Sequence, residues 1–355
     1  MLDPSREATM RFQHGKPMHK EPNMTWYLKR NAALAAVLLC TVLNAHAQTQ
    51  AEKPAWPTKP IRAIVPLAPG GAADMMARII APLLSSAIGQ AVVVENRVGA
   101  AGIVGTELVA KSAPDGYTML FTVSSPITSH LYTYNSLPYN PKTDLVPISL
   151  VGWGSLVLIV GGKLPVNSVK EFIALARAKP DTLSYGSSGI ASAPHLLGAM
   201  FARETGVKLI HIPYKGQALA TQDLVGGQIS AAFSDVGSSK PFIQSGKIKV
   251  LAVSSQKRLQ GLPDVPTFTE NGLPAMDGLR SWTGVFMRAG TPAAIVSRLS
   301  QEISRFAHLP EVSSRLIDIG SVPLGATHEE AVAIIRADWA RWEKALHDLG
   351  DIKAE

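Results

Sequence analysis

Three short apolar runs at 61–65, 91–94 and 118–122 alternate with two stretches, 72–88 and 104–112, whose apolar positions recur at helical spacing. That order constrains the chain more than any other feature. Consecutive strands separated by helices lie parallel, because each helix must return the chain to the starting end of the sheet. Pro82 falls inside the first helical stretch, where a proline removes a hydrogen bond and crowds the preceding turn. One kinked helix is expected there. The pattern then restarts, with strand-like segments at 156–160, 183–185, 209–212, 229–233 and 249–253. Helical segments at 194–205, 219–225 and 239–245 separate the later ones. Ser168, three residues before Glu171, forms a capping box that opens a further helix running to Ala178.

A Pro- and Gly-rich stretch at 262–277 reads as a loop, followed by a strand at 283–287. Thr291-Pro292 opens a helix to His308, and Thr327 with Glu330 caps another that ends near Leu349. These last helices have too few strands for a sheet of their own, so they are expected to pack back on the first unit. The fold class is therefore α/β with two lobes, each a sheet flanked by helices. Residues 48–155 with 282–355 make lobe 1, and 156–281 make lobe 2. Crossings near Leu156 and Trp282 form a two-crossing hinge.

Residues 1–47 are read as a segment outside the fold. From Met24, the expected start, a basic Lys29-Arg30 pair precedes an apolar run too short to span a bilayer, and Ala45-His46-Ala47 supplies a cleavage signal. Cleavage is expected after Ala47, with export to the periplasm. Cys40, the single cysteine of 355 residues, follows Leu39 rather than the small residue a lipid-anchor site wants. One cysteine excludes a disulfide framework and a thiolate zinc site. The net charge of +7 falls to +4 once six basic and three acidic residues of 1–47 are removed. So small and scattered an excess argues against nucleic-acid binding.

The strongest local motif is Pro66-Leu67-Ala68-Pro69-Gly70-Gly71-Ala72-Ala73-Asp74, between a strand and a helix. Its glycines let backbone approach a ligand, and the helix beyond offers unpaired N–H groups with a positive dipole end. The competing reading is a tight turn capped by Asp74. A second loop, from Tyr185 through Ser187, Ser188, Ser192 and Ala193 to His195, also joins strand to helix. Both lie at the carboxyl ends of strands, where open α/β sheets bind ligands. Gly99, Gly102 and Gly105 suit close helix packing better than phosphate binding. Tyr214-Lys215-Gly216 lies at the cleft edge, where Lys215 either attracts an anion or is a solvated surface lysine. Asp235 either meets a ligand cation or caps the next helix.

Enzyme signatures are mostly missing. No Gly-x-Ser-x-Gly elbow supports Ser187 or Ser188 as a nucleophile, although a hydrolase pairing either with His195 is a formal alternative. His130, His195 and His211 lack metal-type spacing. The four tryptophans at 153, 282, 339 and 342 read as core or hinge packing.

Several motifs together resemble one family. They are Pro57-Thr58-Lys59-Pro60-Ile61-Arg62, Pro69-Gly70-Gly71-x-x-Asp74, Val94-Glu95-Asn96-Arg97, Ala113-Pro114-Asp115-Gly116-Tyr117-Thr118, Ile212-Pro213-Tyr214-Lys215-Gly216 and Leu262-Pro263-Asp264-Val265-Pro266-Thr267. From Trp56 to Gly350 the chain resembles the extracytoplasmic solute receptors of tripartite tricarboxylate transporters, the Bug receptors. The resemblance implies a two-lobed periplasmic binding protein without cofactor, metal or catalysis, acting as a monomer. It would close on a small carboxylate (dicarboxylate, tricarboxylate, aromatic or amino acid) and present it to membrane permease subunits. A ligand-sensing receptor for a membrane signalling partner is the alternative. In the family, backbone N–H groups and ordered water hold the carboxylate. Carried over, those positions are Ala68 to Asp74 and Ser187 to His195, with Tyr214 at the edge and Asp235 as a third ligand-side position. Ser124-Ser125-Pro126 stands where many relatives have Gly-Thr-His, a change that bears on ligand identity rather than fold.

Overall fold

The computed structural model describes residue 24 and residues 56–278 and 281–349. Met24 apart, the leader expected over 1–47 and its cut after Ala47 lie outside them. The chain begins with β1 (Ile61–Val65), α1 (Ala72–Ile88), β2 (Val92–Asn96), α2 (Ile103–Ala110) and β3 (Thr118–Val123). β1 pairs in parallel with both β2 and β3, and α1 runs through Pro82 as one helix. A short α3 (His130–Thr133) leads to β4 (Leu145–Gly154) and β5 (Leu156–Gly161). Then come α4 (Val169–Ala178), β6 (Ser184–Ser187), α5 (Ala193–Thr205), β7 (Ile210–Pro213), α6 (Gln217–Gly226), β8 (Ala231–Asp235), α7 (Val236–Gln244) and β9 (Ile248–Val253). The chain closes with β10 (Ser281–Arg288), α8 (Ala293–Ala307), α9 (Pro310–Asp318), β11 (Ser321–Ala326) and α10 (His328–Leu349).

The strands form two sheets, ordered β11-β4-β10-β3-β1-β2 and β7-β6-β8-β5-β9. Each is buried on both faces. Ile61, Ala63 and Val65 of β1 pack with Met76 and Ile80 of α1, whereas Ile64 faces Ile103 and Leu120. In β5, Leu156, Leu158 and Val160 join one core, and Val157 with Ile159 the other. This is the two-residue alternation of a strand covered on both sides. The chain passes between sheets at Ser155, the single residue between β4 and β5, and passes back between β9 and β10. The result is an α/β fold of two lobes joined by a two-crossing hinge.

Two strands carry no clear signal in the sequence because each contains a proline. Pro147 sits within β4, at a shift of register against β10, and Pro323 lies in the edge strand β11 beside another shift. Bulges and edges are where a strand tolerates a missing N–H. The last helix also differs from expectation. Ala331 and Ile335 pack in the first lobe, but Trp342 and Leu346 are buried with Phe201 and Phe268 of the second. At 22 residues α10 is about 33 Å long, enough to reach both cores. Trp282 is fully buried and donates its indole N–H to Asp338 of α10 at 2.6 Å. The glycine triplet packs closely, as its spacing suggests: a Cβ at Gly105 would lie 2.7 Å from Pro66 and from the Arg97 carbonyl.

Candidate functional site

The loop between β1 and α1 is shaped by one buried carboxylate. Asp74, 3% exposed, accepts bonds from the Gly70 N–H at 3.0 Å, Arg78 at 2.9 and 3.0 Å, and Asn96 Nδ2 at 3.0 Å. Burial opposes its ionisation, yet the bonds from Arg78, Gly70 and Asn96 together hold the carboxyl below its usual range. Asn96 also donates to the Leu67 carbonyl at 3.0 Å. Gly70 adopts φ +82°, the left-handed region that favours glycine. Gly71 does not: its φ is −85°, and it stands at the N-cap of α1 without a side-chain cap. First-turn N–H groups there are left for another partner.

The loop between β6 and α5 is tied differently. Ser187 Oγ donates to the Gly189 carbonyl at 3.0 Å and shares a 2.7 Å hydrogen bond with His211 Nε2. Ser192 caps α5, accepting from the His195 N–H, and donates to the same Gly189 carbonyl at 2.7 Å. The Ala191 N–H donates to His195 Nδ1 at 3.0 Å, and the imidazoles of His195 and His211 stack at 3.9 Å. Burial lowers His195 to about 4, and burial with the neighbouring His195 lowers His211 to about 3. The first lobe grips this loop across the cleft. Ser125 Oγ accepts from the Ala193 N–H and Ser129 Oγ donates to the Ala191 carbonyl, both at 3.0 Å.

Between the loops lies a narrow cavity with about 50 Å³ open to the centres of water molecules. Ala68, Gly71, Ala72, Ser125, Ser188, Ala193 and Asp235 line it. The other eight residues singled out in the sequence stand behind that wall or beside it. Pro69 and Gly70 shape the first loop, and Asp74 locks it. Ser124 bonds Ser281 Oγ at 3.2 Å, and Tyr214 donates its hydroxyl to Asp223 at 2.7 Å. Ser187, Ser192 and His195 are committed to the second loop. Asp235 caps α7, the second of its two expected roles, accepting from the Ser238 N–H at 2.8 Å, and it also lines the cavity. Burial raises its pKa against the bonds it accepts. Lys215 is exposed and not part of the lining.

Ser155, Gln217, Ser281 and Thr283 also line the cavity, and sequence reasoning missed them. Gln217 opens α6 beyond Gly216, an N-cap without a side-chain cap. Gly216 is required by contact, since a Cβ there would fall 2.8 Å from that of Ala68 in the other lobe. Two uncapped helix ends, those of α1 and α6, thus meet across the cleft. Among the described residues lining the cavity, none is Lys, Arg or His. The arrangement can hold an anion through backbone N–H groups and helix dipoles.

A family profile described as "Tripartite tricarboxylate transporter family receptor" matches residues 76–350. The chain belongs to this family. The receptor is 35% identical to Protein BugT of Bordetella pertussis over 318 residues, 89% of this chain and 97% of that one. The structure "R. palustris Rpa4515 with adipate" superposes with a TM-score of 0.81 at 35% identity, covering 83% of this chain and 98% of that one. MatC from Rhodopseudomonas palustris with bound malate gives a TM-score of 0.77 at 28% identity, covering 82% and 99%. The two-lobed architecture is therefore that of the periplasmic binding proteins. The closest approach to a hydrolytic pair, Ser187 with His211, sits outside the cavity lining, with the serine fully buried. An imidazole lowered to about 3 is a weak base at neutral pH.

Proposed function

We propose that the chain is a non-catalytic receptor that closes its two lobes on a small carboxylate and presents it to the permease subunits of a tripartite tricarboxylate-type transporter. The observation that carries this reading is the pair of uncapped helix ends, one per lobe, facing a cavity that no basic side chain lines among the described residues. Adipate and malate in two related structures support the ligand class. We assign Ala68, Gly71, Ala72, Ser125, Ser188, Ala193 and Asp235 to ligand contact, and Pro69, Gly70, Asp74, Ser124, Ser187, Ser192, His195 and Tyr214 to shaping that surface. The lobes are taken as 48–155 with 282–355, and 156–281, with Trp342 and Leu346 of α10 reaching over into the second core. Export to the periplasm, cleavage after Ala47 and a monomeric state belong to the same reading.

Thermal unfolding against a panel of carboxylic acids tests it. A ligand that binds only the folded protein raises stability by RT ln(1 + [L]/Kd), about 2.7 kcal/mol at a hundredfold excess over Kd. The binding acid should also lower the radius of gyration and shift the emission of Trp282, which is buried beside the return crossing. A panel without a single stabilising acid would refute the carboxylate reading.

A further inference from the structure

Two polar side chains in the cavity find no hydrogen-bond partner among the described residues. Both amide atoms of Gln217, in the first turn of α6, and Thr283 Oγ1, on β10, are buried without a hydrogen-bond partner. Gln217 is 5% exposed and Thr283 3%, and both line the cavity, one from each lobe. Buried polar groups are normally paired because leaving one unpaired forfeits its hydration. An amide and a hydroxyl each both donate and accept, so the group that completes them should do the same.

Charge points the same way. Asp235 is the one charged residue lining the cavity among the described residues. A single carboxylate can use the uncapped helix ends. A second would lose its water with no cation to meet it, in a cavity it shares with Asp235. A neutral group that donates and accepts meets neither obstacle.

We propose that Gln217 and Thr283 are the specificity-determining pair of this cavity, and that its ligand is a singly charged carboxylate whose other polar group is neutral, a hydroxyl or a carboxamide. The assignment rests on the receptor reading and narrows it. Adipate, held by a relative, has two carboxylates, so the decisive comparison sets a diacid against its monoamide.

Isothermal titration of the purified protein with butanoate, 4-hydroxybutanoate, succinate and succinamate makes that comparison. Succinamate or 4-hydroxybutanoate should bind at least tenfold tighter than both succinate and butanoate. Gln217→Met and Thr283→Val keep size while removing the polar atoms, and either should cut that advantage at least fivefold; Thr283→Ser, which retains the hydroxyl, should keep it. Circular dichroism verifies the fold of each variant, and the wild-type comparison needs no variant. Succinate binding as tightly as the better of succinamate and 4-hydroxybutanoate, or a preference that survives both substitutions, overturns the assignment and leaves the receptor reading standing. A protein that binds none of the four, nor any acid of the wider panel, overturns both.

Discussion

The two strand-to-helix loops look alike in sequence and do different work. In the first, Asp74, Arg78 and Asn96 hold the backbone from behind, and the glycine N-cap of α1 leaves its N–H groups free. In the second, the hydroxyls of Ser187 and Ser192 turn inward on Gly189, and His195, half-buried and stacked on His211, supports Ala191. Its Ala193 N–H is given to Ser125 of the other lobe. The first loop leaves helix N–H groups open toward the cavity, whereas the second lines it at Ser188 and Ala193 and also bonds to the other lobe. Where a glycine stands at the N-cap the helix end stays open, and where a serine stands it is filled.

The contrast can be broken most severely at Asp74. Asp74→Ala strands Arg78, Asn96 and the Gly70 N–H, and should cost about 3 kcal/mol, the range for hydrogen bonds to a charged group; denaturant titration reads it. An effect under 1 kcal/mol would mean that the first loop does not depend on this network.

Acid should separate the loops next. His195 falls from 6.5 to about 4 on folding, so the unfolded chain binds its proton more readily. Stability then drops as pH falls below 6.5 and goes on dropping to about 4, by about 2 kcal/mol at pH 5. Asp74 is depressed instead, so its contribution is present above 3.8 and is lost only below that, as pH falls through its lowered folded value. Corrected for the intrinsic pH dependence of amide exchange, protection at pH 5 should fall at Gly189–Ser192 and stay unchanged at Gly70–Asp74 relative to pH 7. Equal loss of protection in both loops would erase the distinction.

Gly71→Val should weaken ligand binding at least tenfold, about 1.4 kcal/mol. The backbone at φ −85° accepts Val, and a Cβ there lies 3.6 Å from the Ala68 carbonyl, so the fold should survive. Unchanged affinity in calorimetry would place the ligand elsewhere. Ser192→Ala should have the smallest effect, about 1 kcal/mol of stability for a lost cap, with affinity changed by less than threefold. A larger loss of affinity would make Ser192 itself a ligand contact rather than a residue that shapes the loop.

Much of the site was legible because its loops are local. Gly70-Gly71 between a strand and a helix, and Ser187 to His195 in the same setting, can be read from neighbouring residues alone. Asn96 was visible only as a motif member, since its bond to Leu67 spans 29 residues. Gln217 and Thr283 had no signal, because an amide opening a helix and a hydroxyl in a strand are ordinary until the lobes close around them. Pro147 and Pro323 hid their strands, because a bulge or an edge is a property of the neighbouring strand and not of the segment itself.

By itself, then, the sequence determined the alternation of strands and helices, the capping at Ser168, and the placement of glycine at the helix starts, since periodicity and backbone freedom act over a few residues. The tertiary structure alone decided which side chains face the cavity, that α10 reaches both cores, and that Ser187 meets His211. Those outcomes depend on contacts between distant segments, where burial and charge are set by what packs opposite.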